Sequence, residues 1–337
     1  MEQKITILGA GALGSAMANV AAENGRKVVL YSNEEASLEE INSRHSNSKY
    51  VTGRLDATIS ATDNLAIALR DAEVVFLILP SKVLARVLAE TKKLGQGSFR
   101  EKFVIFTKGL DEETGEFFSN LVSRIFPAAE VAVFSGPNFA EEIFEKKLTL
   151  TTLATEKAEF FSELEPILGC DFLSLTYFDD PIAVQLCGLV KNAVALVCGI
   201  IEGLEMGRNA FAAMVMKGIG EMTSLCRAFH RNEGVVLTPA GIGDLVLTCT
   251  SHKSRNTSFG YRVGLGENPG EIIGNGSTTV EGISNARSLY NMAKKFGMEG
   301  TVAELLLRIV DGSLSREELV SAVAQSLRLG QQIRKLD

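Results

Sequence analysis

The sequence lacks several features that would point to particular protein classes. It has no tryptophan, three histidines and five cysteines, and no two cysteines form a CxxC pair. Scattered histidines and cysteines do not predict a zinc site, so we expect no bound metal. Five cysteines without paired spacing are typical of reduced core thiols, and the start MEQKITILGAG has no basic, apolar signal-peptide pattern. We therefore expect a cytoplasmic protein.

The chain also lacks an excess of basic residues. Its 34 Lys and Arg residues are outnumbered by 41 Asp and Glu residues, giving a net charge of −7. This balance disfavours nucleic acid and anionic membranes as partners. An anionic small substrate would have to meet a local cationic pocket.

Long hydrophobic runs are equally scarce, and residues 181–203 form the exception. This run is long enough to suggest a membrane span. Four polar residues interrupt it: Gln185, Lys191, Asn192 and Glu202. We therefore predict a buried helix of a protein core rather than stable membrane insertion.

The 337 residues suggest about two domains. In the first half, short apolar runs alternate with amphipathic stretches, which predicts an α/β fold with an N-terminal Rossmann-like, doubly wound sheet. The predicted strands are 4–8, 27–31, 73–79, 102–106 and 131–134, with 149–155 and 172–177 as extensions of the sheet. The predicted helices are 12–24, 34–44, 63–70, 81–93 and 112–125.

After residue 180 the pattern becomes helical, so we predict a dinucleotide-binding domain at 1–180 and an all-helical substrate and catalytic domain at 181–337. The predicted helices of this second domain are 182–203, 209–231, 242–249, 279–297 and 301–311. Glycines gather between Gly260 and Gly282. This spacing predicts a loop that closely approaches another group.

The segment GAGALG, residues 9–14, lies between a predicted strand and a predicted helix. Gly9 would permit the tight turn, Gly11 the approach of a pyrophosphate, and Gly14 the close packing of helix on strand. The helix N-terminus would add unpaired N–H groups. A second strand follows within about 30 residues, as the dinucleotide-binding motif requires.

The second strand ends at Tyr31-Ser32-Asn33, where the ribose 2′ position of the cofactor is normally read. An acidic residue there would favour NAD and a basic one NADP, and neither is present. NAD(H) and NADP(H) both stay open, with a slight preference for NADP. Glu34 and Glu35 suit the start of a helix.

Lys191 is the unusual residue of the apolar run. A buried ammonium without a partner costs several kcal/mol, and burial lowers a lysine pKa toward the range useful for proton transfer. Asp244 lies between a glycine-rich turn and an apolar run, as a pocket carboxylate would. Ser254, Arg255 and Asn256 offer donors suited to a phosphate, although a solvated polar loop would look the same.

Several segments together resemble the bacterial NAD(P)-dependent glycerol-3-phosphate dehydrogenase family, from residue 4 to about residue 330. They are GAGALG, TKG at 107–109, SGPNFA at 135–140, KN at 191–192, AGIGDLVLTCTS with SRN within 240–256, and VEG at 280–282. The resemblance implies interconversion of dihydroxyacetone phosphate and sn-glycerol 3-phosphate, a role in phospholipid synthesis, and a homodimer.

The resemblance also implies roles for individual positions, with Lys191 as the catalytic proton acceptor or donor at C2. The implied substrate positions are Lys108, Gly136, Asn138, Lys191, Asn192, Asp244, Ser254, Arg255 and Asn256. The cofactor positions, including the three glycines, are Gly9, Gly11, Ala12, Leu13, Gly14, Ser32, Asn33, Lys108, Ala140, Arg255, Thr279 and Glu281.

This chain departs from the family pattern at a few of these positions. Leu13 stands where the family usually has an aromatic residue, Asn138 where it has Ser or Thr, and Ser32-Asn33 where it often has a basic residue. Two alternatives stay open. One is another reductase of the same two-domain plan, of hydroxyacyl-CoA or ketopantoate type, and the other is a non-catalytic dinucleotide-sensing protein.

Overall fold

The computed structural model describes residues 3–95, 99–275, 280–310 and 314–329. The chain divides into two compact units: Met1–Thr107 with Glu116–Pro181, and Lys108–Gly115 with Ile182–Asp337. The short segment 108–115 therefore belongs to the second unit. A single boundary near residue 180 would assign this segment to the first unit.

The first unit is an eight-stranded sheet with helices between its strands. Its elements are β1 Lys4–Leu8, α1 Ala12–Glu23, β2 Lys27–Tyr31, α2 Glu35–Arg44, β3 Ser60–Thr62, α3 Leu65–Leu69, β4 Val74–Leu77, α4 Ser81–Lys93, β5 Lys102–Ile105, α5 Phe118–Ile125, β6 Glu130–Ser135, α6 Ala140–Phe144, β7 Thr149–Ala154, α7 Ala158–Leu168 and β8 Leu173–Phe178. The strand order is β3-β2-β1-β4-β5-β6-β7-β8. Strands β1 to β6 are parallel, β7 runs antiparallel to β6, and β8 is parallel to β7.

The order 3-2-1-4-5-6 is that of the Rossmann dinucleotide-binding fold, which confirms the predicted fold class. The central strands are apolar on both faces because helices cover both sides of a parallel sheet. Ile5, Ile7, Phe76 and Val104 are fully buried there. The carboxyl ends of β1, β2 and β4 meet where Leu8 pairs with both Tyr31 and Leu77. Ligands bind at such strand ends in open α/β sheets.

The second unit is helical in its described part. Its helices are α8 Pro181–Gly203, α9 Arg208–Ala228, α10 Asp244–Thr250, α11 Arg255–Gly264, α12 Pro269–Asn275, α13 Glu281–Ser284, α14 Ala286–Lys295, α15 Val302–Val310 and α16 Arg316–Leu329. A π-helical turn, Pro239–Gly243, leads directly into α10. Helix α8 has the length and the mean hydropathy, 1.9, of a membrane span, but its apolar window is entirely buried within the protein. It is a core helix, as its interrupting polar residues predicted.

Helices α8 and α11 approach each other through glycines. A Cβ atom on Gly260 would lie 1.9 Å from the Leu196 carbonyl oxygen, and one on Gly199 would lie 2.1 Å from the Thr257 carbonyl oxygen. The predicted close approach near Gly260 is therefore present. The predicted loop is wrong at this point, because Gly260 lies within α11 and its missing side chain lets two helix backbones touch.

The predicted helix 112–125 is also too long, since α5 begins only at Phe118. The Asp111 carboxylate accepts hydrogen bonds from the Thr114 backbone N–H, at 3.0 Å, and from its hydroxyl, at 2.6 Å. Such side-chain to backbone bonds close a turn and compete with a helix. The periodic pattern gave no sign of this competition.

Candidate active site

The glycine-rich turn follows β1 and opens α1 in the first unit. Gly9 has φ +118°, and a Cβ atom there would lie 2.1 Å from the Ile78 carbonyl oxygen. A Cβ atom on Gly14 would lie 1.9 Å from the Gly9 carbonyl oxygen. Gly11 has open space where its side chain would be and gives α1 no side-chain cap. The turn therefore keeps room and backbone N–H groups for an anion, and a dinucleotide pyrophosphate fits it.

The other predicted cofactor and substrate positions of the first unit also lie in segments that follow strands. Ala12 and Leu13 begin α1, and Ala140 begins α6. Ser32 is half-buried and Asn33 exposed just after β2. A Cβ atom on Gly136, just after β6, would lie 2.5 Å from the Thr151 hydroxyl oxygen, and Asn138 is half-buried two residues later.

The second unit contains a buried ionic cluster around Lys191. Only 5% of Lys191 is exposed, and its Nζ donates hydrogen bonds to Asp244 Oδ1 and to Thr248 Oγ1, both at 2.9 Å. Asp244 is the first residue of α10, and Thr248 follows one turn later on the same helix face. The Thr248 hydroxyl donates in turn to the Asp244 backbone carbonyl at 2.6 Å. Its lone pairs are thereby directed toward the Lys191 ammonium.

Lys108 completes this cluster from the segment 108–115. Its Nζ donates a hydrogen bond to Asp244 Oδ2 at 2.7 Å, so each carboxylate oxygen of Asp244 accepts a hydrogen bond from one lysine ammonium group. Asp244 is 2% exposed and the Lys108 side chain 17%. A carboxylate held between two ammonium groups leaves one net positive charge in the cluster. This net charge would favour an anionic ligand beside the cluster.

The same contacts set the protonation of the cluster. Burial lowers the pKa of Lys191 to about 8, with Asp244 opposing this shift and the charge of Lys108 adding to it. Burial would also lower the pKa of Lys108, but the Asp244 carboxylate outweighs it and the net shift is upward. Burial would raise the pKa of Asp244, yet the two ammonium groups lower it overall. Lys191 is thus the member that can gain or lose a proton near neutral pH.

A chain of amide contacts lies beside Lys191. Asn192 Nδ2 donates to Glu281 Oε2 at 3.0 Å, and Asn192 Oδ1 accepts from Asn256 Nδ2 at 3.0 Å. Asn256 Oδ1 accepts from the Gly282 backbone N–H at 2.9 Å. The structure therefore joins three predicted site residues, Asn192, Asn256 and Glu281, through side-chain hydrogen bonds.

Ser254 and Arg255 mark the N-terminus of α11. The Ser254 hydroxyl accepts from the Thr257 backbone N–H at 3.3 Å and caps the helix, and Arg255 is exposed at its first position. A helix N-terminus favours anions. Predicted position Thr279 lies outside the described residues. Thr248 was not predicted as a site residue, although its spacing of four from Asp244 is a usable signal.

Among the described residues, no group of three or more His, Cys, Asp and Glu side chains could hold a metal ion. The Rossmann sheet, its glycine-rich turn and the titratable lysine of the helical unit define a class, the two-unit NAD(P)-dependent dehydrogenases.

Comparison with known proteins agrees with this class and narrows it. The chain matches the family described as NAD-dependent glycerol-3-phosphate dehydrogenase, with the N-terminal part at residues 4–161 and the C-terminal part at 180–321. It therefore belongs to the NAD(P)-dependent glycerol-3-phosphate dehydrogenase family, and the predicted resemblance is confirmed. The matching family models describe neither a hydroxyacyl-CoA nor a ketopantoate reductase.

Individual relatives are similar over almost their whole length. A curated glycerol-3-phosphate dehydrogenase (NAD(P)+) from Parvibaculum lavamentivorans is 35% identical over 323 residues, covering 95% of this chain and 96% of the relative. One from Staphylococcus aureus is 34% identical, covering 94% and 96%. The crystal structure of glycerol-3-phosphate dehydrogenase from Coxiella burnetii matches with a TM-score of 0.89 and 31% identity, covering 97% of this chain and 99% of that one.

Proposed function

We propose that this protein interconverts dihydroxyacetone phosphate and sn-glycerol 3-phosphate with NAD(H) or NADP(H), in line with relatives named glycerol-3-phosphate dehydrogenase (NAD(P)+). The observation that carries the proposal is the buried Lys191, whose Nζ is held by Asp244 and Thr248 at 2.9 Å and whose pKa burial lowers to about 8. Residues 1–180 would supply most of the cofactor positions, and residues 181–337 would supply most of the substrate positions and the catalytic lysine.

The glycine-rich turn and the N-terminus of α1 would hold the cofactor pyrophosphate. When bound there, the reduced nicotinamide would supply the hydride for ketone reduction. Besides Gly9, Gly11 and Gly14, the cofactor positions in this proposal are Ala12, Leu13, Ser32, Asn33, Lys108, Ala140, Arg255, Thr279 and Glu281.

Lys191 would donate a proton to the C2 oxygen as the hydride reaches C2, so the carbonyl becomes a hydroxyl and the lysine is left neutral. In oxidation the neutral amine takes the hydroxyl proton back. An ammonium has three N–H donors. Two of the Lys191 N–H groups donate hydrogen bonds to Asp244 and Thr248. The third is directed by these two contacts and would serve the substrate oxygen.

The substrate phosphate gives the enzyme a handle remote from the reacting carbon. We assign its recognition to Ser254 and Arg255 at the N-terminus of α11, where helix dipole and guanidinium both favour an anion. Asn256 would act by holding Asn192, to which its amide donates. The remaining substrate positions in the proposal are Lys108, Gly136, Asn138, Asn192 and Asp244.

The wider setting rests on the same family membership. We place the enzyme in the cytoplasm as a homodimer that supplies glycerol 3-phosphate for phospholipid synthesis. Size-exclusion chromatography with light scattering would test the dimer, since a mass near 36 kDa would contradict it and twice that mass would agree.

The activity is tested by oxidation of NADH and of NADPH with dihydroxyacetone phosphate as substrate. Replacing Lys191 by alanine should lower kcat by about 100-fold or more, the usual contribution of general acid catalysis. Lys217 provides a matched control, because its side chain is also 7% exposed and pairs with a buried carboxylate, Glu221, at 3.3 Å. The Lys217→Ala variant should keep kcat within about threefold for the folded enzyme. Cofactor binding without ketone reduction in the wild type would contradict the proposed function.

A further inference from the structure

The segment between α2 and β3 is anchored to the glycine-rich turn by Asn47. Asn47 is fully buried, and its Nδ2 donates to the Ala10 carbonyl oxygen at 2.7 Å and to Ser15 Oγ at 2.9 Å. The Asn47 carbonyl accepts the backbone N–H of Tyr50 at 2.9 Å. The residues that follow Asn47 are therefore held in place relative to the cofactor-binding turn.

Two of those residues bind Glu34, which lies three residues after β2. Glu34 Oε2 accepts from Lys49 Nζ at 2.8 Å, and Glu34 Oε1 accepts from the Tyr50 hydroxyl at 2.6 Å. The Glu34 backbone N–H donates to Ser32 Oγ at 3.1 Å. Hydrogen bonds from Lys49 and Tyr50 lower the pKa of Glu34, so its carboxylate stays ionised.

This ion pair adjoins the end of β2, the strand end at which Rossmann folds recognise the ribose of a dinucleotide. The end of β2 adjoins the glycine-rich turn, because the Gly9 N–H donates to the Tyr31 carbonyl at 3.0 Å. In Rossmann folds a side chain about 20 residues beyond the glycine motif reads the 2′ position, and Glu34 follows Gly14 by that interval. A ribose hydroxyl needs an acceptor there, whereas a 2′-phosphate of about −2 charge needs a cation.

We propose that the Glu34–Lys49 pair determines how this enzyme divides its use between NADH and NADPH. Glu34 accepts a hydrogen bond from the 2′-hydroxyl of NADH, and Lys49 donates a hydrogen bond to the 2′-phosphate of NADPH. The inference rests on the proposed function for its cofactor, and it assigns specificity to residues other than Ser32 and Asn33.

Both groups have the capacity for these contacts. An ammonium has three donors and a carboxylate about four acceptor sites. The pair uses one of each, and Tyr50 and Ser37 also donate to Glu34, which leaves about one acceptor site on its carboxylate. Their side chains are 62% and 37% exposed, so a ligand can reach them. The opposite charges nearly cancel, which explains why the pair can accept either form of the ribose. If one of the two charges is removed, the enzyme should show the cofactor preference that the remaining charge confers, NADH for Glu34 and NADPH for Lys49.

Two variants test the proposal through the ratio of kcat/KM for NADPH to that for NADH, with dihydroxyacetone phosphate as substrate. Lys49→Met should lower this ratio by about tenfold, and Glu34→Gln should raise it by about tenfold, since each removes one charge near a phosphate. The pair Lys146–Glu23 supplies the controls: its separation is 2.9 Å and its exposures are 56% and 38%, but Glu23 ends α1 and is remote from the glycine-rich turn. Lys146→Met and Glu23→Gln should leave the ratio unchanged.

Dissociation constants for NADH and NADPH, read from the fluorescence of the reduced nicotinamide, provide a second measurement that needs no turnover. If the wild type fails to reduce the ketone but these constants shift as stated, the specificity assignment stands and the proposed reaction falls. Opposite shifts in the two variants support the assignment. A ratio within about twofold of wild type in either variant, or shifts in the same direction, overturns it.

Discussion

Replacing Asp244 by asparagine tests the electrostatic arrangement of the site most directly. The substitution keeps the size and one acceptor oxygen of the side chain but removes the charge that lies between Lys108 and Lys191. Asp244 is the main group that raises the pKa of Lys191 against the effect of burial. Without the carboxylate, burial and the Lys108 charge both act to deprotonate Lys191.

The magnitude follows from the separation of the charges. Two unit charges 2.9 Å apart interact by about 6 kcal/mol at an effective dielectric constant of 20. The asparagine dipole and relaxation of the site would retain part of this interaction energy. We therefore expect the ammonium form of Lys191 to lose about 3 kcal/mol of stabilisation, which corresponds to a fall of roughly 2 in its pKa. The pKa of Lys191 would then fall from about 8 to roughly 6.

The assay is kcat/KM for dihydroxyacetone phosphate as a function of pH at a saturating reduced cofactor. Because Lys191 must be protonated to donate, the value is highest below its pKa and falls as pH rises through it. The falling limb should have its midpoint near pH 8 in the wild type and about 2 units lower in the variant. Glu221→Gln removes another buried carboxylate paired with a lysine and should leave the midpoint in place. A midpoint in Asp244→Asn within about 0.5 unit of wild type would refute the coupling of these residues.

Two further substitutions probe helix α11. Arg255→Ala should lower kcat/KM for dihydroxyacetone phosphate by about 30-fold, because a charged hydrogen bond to the phosphate is lost. It should lower kcat/KM for unphosphorylated dihydroxyacetone by less than about threefold. Equal losses for the two substrates would mean that Arg255 does not bind the phosphate. Gly260→Ala places a Cβ atom 1.9 Å from the Leu196 carbonyl oxygen and should reduce the free energy of unfolding by about 3 kcal/mol, measured by denaturant titration. Gly270→Ala, in an exposed part of α12, is its control, and similar stabilities of the two variants would contradict the packing argument.

Much of the fold could be predicted because buried parallel strands and core helices are strongly apolar. Strand β1 and helix α8 have patterns that polar loops do not mimic. Strand β3 could not be found, since three residues, Ser60–Thr62, carry too short a pattern. Helix α11 was hidden because its glycines read as loop residues, while their true role is contact with α8.

The candidate site was predictable to the extent that its signals are local. The glycine-rich turn lies within one strand–turn–helix unit, and Lys191 was conspicuous as a charge in an apolar helix. Its pairing with Asp244 spans 53 residues and that of Lys108 with Asp244 spans 136. No local pattern encodes such contacts, because they depend on how the helices pack. The pair Glu34–Lys49 was missed for the same reason, since a connecting segment returns to the end of β2.

The contact between α8 and α11 also bears on motion within the second unit. Backbone atoms meet at Gly199 and Gly260, where even a methyl group has no space. The offset between Lys191 on α8 and Arg255 on α11 is therefore set by main-chain geometry and not by rotamers. Crystals grown with and without substrate should superpose on these two helices as a single rigid frame, with any rearrangement confined to side chains and to the remaining helices.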